Sequence, residues 1–167
     1  MNASINKLSY QRAISSGFTL IELMVTIAVM AIIVSIAAPS ISSQLANQRV
    51  KSTVSTIENA LKEAKVESII RRQDVTVVYD GSSTPKKVTL RANGADIYSY
   101  NISNQSTVTQ AITPSSVTNI VFRPDKSIAG GAVALYTVCD SSSSSETPKQ
   151  VRLTSIANIN TINAGSC

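Results

Sequence analysis

The chain has 167 residues, which suits a single domain of the common size of roughly 100–150 residues. It contains no His and no Trp, and only two cysteines, Cys139 and Cys167, which excludes His-based catalysis and most metal sites, and no cofactor is expected. The net charge of +5 falls to +3 (13 basic minus 10 acidic) once Lys7 and Arg12, upstream of the apolar run, are set aside, and so small an excess is weak ground for nucleic acid, where affinity grows with the number of phosphates neutralised.

Residues 1–17 are short, polar and basic, with Lys7 and Arg12 and no acid, so this end is expected to stay cytoplasmic. Much of the 43% apolar content lies in residues 18–38. A helix of that length, rising about 1.5 Å per residue, matches a hydrocarbon core of roughly 30 Å. A cleaved secretory signal is the plainer alternative, with "SIAAPS" as its small-residue site. The apolar run is longer than the usual signal core of about 7–15 residues, and Glu22, early within it, serves no purpose in a segment that is discarded. On insertion scales a carboxylate at the bilayer centre costs about 2.5–3.5 kcal/mol. A position near the interface lowers that cost, and a charged partner lowers it further. A cut between Gly17 and Phe18 would supply one, the new α-amino group, in this subunit or a neighbour.

Pro39 falls where the apolar run ends, and its ring is expected to kink or loosen a helix there. Beyond it, Val50, Val54, Ile57, Leu61 and Ala64 recur at steps of 4, 3, 4 and 3, the stripe of an amphipathic helix reaching to about Ile70. Glu58 with Lys62, and Glu67 with Arg71, sit one turn apart away from that stripe and are expected on a solvated face.

After Arg72 the pattern changes to alternation. "DVTVVYD", "KKVTLRA" and "ADIYSY" predict half-buried strands, the last two joined at Asn93-Gly94, the strongest short hairpin signal. Further strands are expected at "STVTQAIT", "TNIVFRP", "AVALYTVC" and "KQVRLTSI", divided by Pro114, Pro124-Asp125, Gly130-Gly131 and the serine tract 141–145. One long helix followed by antiparallel strands gives an α+β domain, with the Val50 to Ala64 stripe on one sheet face.

Cys139 and Cys167 are either two free thiols or one disulfide. Export past a membrane favours the disulfide, which would close a loop worth roughly 3–4 kcal/mol on the chain-entropy model and tie down the last residue. For catalysis there is no case: no serine sits in a nucleophile elbow, and "AGGA" lacks the lysine of a phosphate-binding loop.

"GFTLIELMVTIAVMAIIVSIAAPS" resembles the processing signal of type IV pilins and type II secretion pseudopilins. The resemblance implies that a prepilin peptidase removes residues 1–17 after Gly17, that Phe18 becomes the N-methylated first residue, that Glu22 is the acid needed for assembly, and that Pro39 is a helix-breaking proline. "TNIVFRPDKSIAGGAVALYTVC" followed by "KQVRLTSI" resembles the GspH/FimT-type domain of minor subunits, most of all the FimU type, with Lys126 where a glycine is usual. That implies a lollipop in which residues 18–38 form a transmembrane and assembly helix, 39–72 continue it as an amphipathic helix, and 73–167 form the β-rich domain. The implied partners are other minor pilins, the major pilin, the peptidase and the inner-membrane assembly platform, and the implied location is a Gram-negative inner membrane, with the domain in the periplasm, and then the pilus.

The implied function is a minor pilin that primes assembly at or near the pilus tip and supports twitching motility, adhesion or DNA uptake. Its alternatives are a minor pseudopilin of type II secretion or a DNA-binding FimT-like subunit for natural transformation. For the last, Arg71, Arg72, Lys86 and Lys87 are the candidate patch, although no charged side chain follows Arg152.

Overall fold

A computed structural model describes residues 17–143 and 146–167, the side chains of 37–40 excepted. Two compact units meet between Ala38 and Pro39. Helix α1 is assigned from Leu20 to Arg71, so the helix continues past Pro39 as expected; the side chain of Pro39 is outside the described residues. Thr19 caps the start. Its hydroxyl accepts from the Glu22 N–H at 3.3 Å, while its carbonyl accepts from Leu23 at 3.2 Å, which satisfies donors that every helix N-terminus leaves free.

In the first unit every described side chain from Phe18 to Ile36 is exposed, Leu20 at 77% and Ile36 at 73%. The hydroxyls in this apolar stretch are satisfied within it: Thr26 donates to the Leu23 carbonyl at 2.8 Å and Ser35 to Ile32 at 2.7 Å. That local pairing is what a helix requires where water is absent. Among the described residues no single helix is long and apolar enough to cross a membrane, but the stretches Leu20–Ile36 and Ile41–Arg71 taken as a pair meet that test.

The second unit holds the core. Its strands are β1 (Val75–Asp80), β2 (Lys86–Ala92), β3 (Ala95–Ile102), β4 (Ser106–Thr113), β5 (Ile120–Phe122), β6 (Val133–Asp140), β7 (Lys149–Leu153) and β8 (Ile159–Asn163), with a 3-10 turn at Ala129–Gly131. They form two antiparallel four-stranded sheets, ordered β3-β2-β1-β5 and β4-β6-β7-β8. Two sheets replace the single expected face because β4, after the short link from Ile102, pairs with β6 instead of β3. Val50, Val54, Ile57, Leu61 and Ala64 are all buried, as their spacing predicts, in one cluster with Val75, Leu90 and Phe122 of the first sheet and Tyr136, Val151 and Leu153 of the second. All the buried hydrophobic side chains among the described residues fall between Ala46 and Ala157, so this unit contains a complete core of its own.

The turns follow their residues. Asn93 and Gly94 have φ of 51° and 78°, the pair of positive angles that a two-residue hairpin of type I′ demands. Lys126 stands at φ 69°, in the left-handed region that a Cβ disfavours by roughly 1–2 kcal/mol; this is the physical reason for a glycine at such a turn. Strand β7 stops at Leu153, short of the expected Ile156, because Thr154 and Asn158 close a turn: the Thr154 N–H donates to Asn158 O at 3.0 Å and the Ala157 N–H to Thr154 O at 2.9 Å. Ala157 is there left-handed at φ 55°. The chain then returns as β8, a strand that the sequence reading placed within an uncharged tail.

Candidate functional site

The N-terminal end carries the expected processing and pairing residues. Gly17 and Phe18 precede the cap, and Phe18 is 75% exposed. Lys7, Arg12 and the rest of the expected leader before Gly17 lie outside the described residues. Glu22 sits in the first turn of α1 and is the only charged residue between Arg12 and Arg49. The Thr19-x-x-Glu22 spacing is also that of a capping box, and an acid in the first turn is favoured by the helix dipole. This local role was legible as a four-residue motif, yet the charge alone had drawn attention to Glu22.

The disulfide joins Cys139 to Cys167 across a Cα separation of 6.0 Å. Beside it is a cluster that sequence reasoning missed. Asp140 is buried, and Arg49 on α1 reaches its Oδ2 at 3.2 Å and Ser142 Oγ at 3.0 Å. Ser142 donates to Asp140 Oδ1 from its N–H at 2.9 Å and from its hydroxyl at 2.5 Å. Burial would raise the Asp140 carboxyl, but the two Ser142 bonds and the Arg49 guanidinium outweigh it and hold the group below the ordinary range. Glu146 Oε1 accepts from the Asp140 N–H at 3.1 Å, and Asn47 accepts from the Thr147 N–H at 2.9 Å. Helix residues 47 and 49 thus hold both ends of the segment between β6 and β7, and the disulfide brings the end of the chain to the same place.

The expected ion pairs form. Lys62 Nζ lies 2.6 Å from Glu58, and Arg71 pairs with Glu67. Their face is only partly solvated. Glu58 also accepts from Thr161 of β8 at 2.8 Å, and its carboxyl is lowered first by Lys62 and then by Thr161. Tyr100 of β3 donates to Glu63, and burial followed by that bond pushes its phenol upward.

The four residues of the candidate DNA patch are not brought together. Arg71 and Arg72 end α1 next to the start of β1, whereas Lys87 pairs with Asp80 at the far end of that strand. At about 3.3 Å per residue the two ends of β1 lie roughly 16 Å apart. Lys86 is further occupied, donating to the carbonyls of Asn104 at 3.2 Å and Ser106 at 2.8 Å. Among the described residues no group of three or more His, Cys, Asp or Glu side chains is placed to hold a metal ion.

Residues 12–38 match the family model of the prokaryotic N-terminal methylation motif. The fold is similar to two crystal structures of the type IV minor pilin FimU of Pseudomonas aeruginosa (strain PAO1). One, at 13% identity and a TM-score of 0.56, covers 70% of this chain and 98% of that one; the other, at 14% and 0.57, covers 72% and 96%. No curated protein matches the sequence. The chain thus carries a prokaryotic N-terminal methylation motif at residues 12–38 and has a fold similar to that of the FimU structures.

Proposed function

We propose that the protein is a minor pilin that helps to prime type IV pilus assembly and lies at or near the pilus tip, supporting twitching motility, adhesion or DNA uptake. The observation that carries this reading is the methylation motif at residues 12–38 ahead of a FimU-like domain. A prepilin peptidase cuts after Gly17 and Phe18 is methylated. Residues 18–38 then hold the subunit in the inner membrane with its domain in the periplasm, until it enters the filament beside other minor pilins and the major pilin. Glu22 is the charge that a neighbouring subunit's N-terminal amine meets within an apolar bundle, where an unpaired charge is heavily penalised.

Deletion of the gene is expected to lower pilus number, twitching and DNA uptake together. Piliation is scored by shearing and microscopy, twitching by zone diameter. Normal pili with lost transformation would assign the protein to DNA capture instead, and normal pili with blocked protein secretion would assign it to a type II system.

A further inference from the structure

Between Glu22 and Glu58 the chain carries no acid, and its only charges are Arg49 and Lys51. Ahead of them, near the start of the second unit, α1 presents two exposed apolar side chains one turn apart, Ile41 and Leu45. The core covers neither, since the buried hydrophobic side chains of the described residues begin at Ala46. At the same end of the unit is a polar cavity of about 560 Å³, lined by Gln44, Asn47, Gln48, Lys51, Lys149 and Asn163 among others.

The charges of this cavity are unbalanced. No acid lines it. Lys51 is exposed and has no hydrogen-bond or ion-pair partner among the described residues, and Lys149 meets a neutral oxygen, donating to Asn163 Oδ1 at 2.9 Å. The acids nearest to Lys149 in sequence are engaged elsewhere: Asp140 is held by Arg49 and Ser142, and Glu146 accepts from the Asp140 N–H. Asn47 is committed to the fold, its amide donating to Ser43 O at 3.0 Å and its oxygen accepting from the Thr147 N–H at 2.9 Å. Gln44 and Gln48 are exposed, and their amides offer donors and acceptors to hydroxyl groups. Two ammonium groups among neutral amides fit a phosphate carried on a hydroxylated group.

We propose that the cavity takes the headgroup of an anionic phospholipid of the phosphatidylglycerol kind, its phosphate on Lys51 and Lys149, while Ile41 and Leu45 enter the acyl boundary. The inference rests on the reading that residues 18–38 span the membrane. Lys51 follows Leu45 by six residues, about 9 Å of helix, and helix side chains lean toward the N-terminus, so its ammonium reaches back toward the depth of Leu45. The headgroup layer on each side of a bilayer is roughly 5–8 Å deep, within that reach. Apolar side chains in the acyl boundary with lysines at headgroup level are the pattern of interfacial helices. A free anion would satisfy the lysines and leave Ile41 and Leu45 in water; a lipid covers both. The contact holds the subunit against the membrane until it enters the filament.

The test is flotation of the 39–167 unit, which holds the whole described core, with vesicles of phosphatidylcholine alone or in equal parts with phosphatidylglycerol. Binding to the mixed vesicles and not to the neutral ones is expected. Lys51→Gln with Lys149→Gln should lower the partition coefficient by about thirtyfold. Arg72→Gln with Lys126→Gln removes the same charge elsewhere and should leave it within about twofold, as a site and not net charge requires. Inorganic phosphate, at constant ionic strength, should not displace the protein. Equal binding to both vesicles, equal loss in the two double variants, or displacement by phosphate would overturn the proposal. The chain from Phe18 onward separates this failure from that of the membrane reading: it should float with vesicles of either composition, and if it floats with neither, the membrane reading fails and the proposal with it.

Discussion

Glu22→Gln is expected to insert in the membrane and lose its leader normally, yet to be nearly absent from assembled pili. Glutamine serves at the third position of a capping box as glutamate does, so the Thr19 cap at the start of α1 survives the change. Insertion becomes easier, because a carboxylate that costs up to about 2.5–3.5 kcal/mol in a bilayer is gone. What is lost, on the proposed reading, is the negative charge opposite a neighbour's amine. Removing one member of a pair in apolar surroundings costs about 3–5 kcal/mol, which is more than roughly a hundredfold in an equilibrium constant. The variant should accumulate in the inner membrane, and quantitative blotting of sheared pili against membranes measures the ratio. Wild-type incorporation of Glu22→Gln, with loss in Glu22→Ala, would reassign the residue to helix capping.

Cys167→Ser should lower the stability of the domain by about 3–4 kcal/mol on the chain-entropy model. The partners are 28 residues apart, and the loop they close contains β7 and β8. Since neither cysteine carries a charge or packs at the centre of the core, the main effect is the added freedom of the unfolded chain. For a domain of this size the loss corresponds to a fall in Tm of roughly 10–15 °C. Thermal unfolding of the 39–167 unit measures it. A fall of a degree or two would mean that Arg49, Asp140 and Asn47 fix this region without the disulfide.

What the sequence made legible was periodic. The stripe from Val50 to Ala64 gave the buried face of α1, and the alternating runs gave seven of the eight strands, because local spacing reports which face of an element meets the core. The Asn93-Gly94 turn was legible for the same reason, as two positive φ angles require such residues. Strand β8 was not. "INTIN" has two apolar residues in five, and its place depends on pairing with β7 and on the turn from Thr154 to Asn158. The division into two sheets was equally hidden, since whether β4 joins β3 or β6 is decided by pairing partners far apart in sequence. Within the candidate site, the methylation motif at residues 12–38 was legible as a contiguous run. The Arg49 to Asp140 pair was not, its members being 91 residues apart in sequence, and the four basic residues read as one candidate patch lie on two different elements, the end of α1 and the start of β2.

The most direct measurement is the intact mass and N-terminal sequence of the protein recovered from sheared pili. Processing as a pilin subunit predicts a chain that begins at Phe18, carries one methyl group on its amine, and has Cys139 and Cys167 joined. A chain from pili that retains residues 1–17, or one whose first residue lies after the "SIAAPS" stretch as an ordinary secretory signal would leave it, would contradict the account.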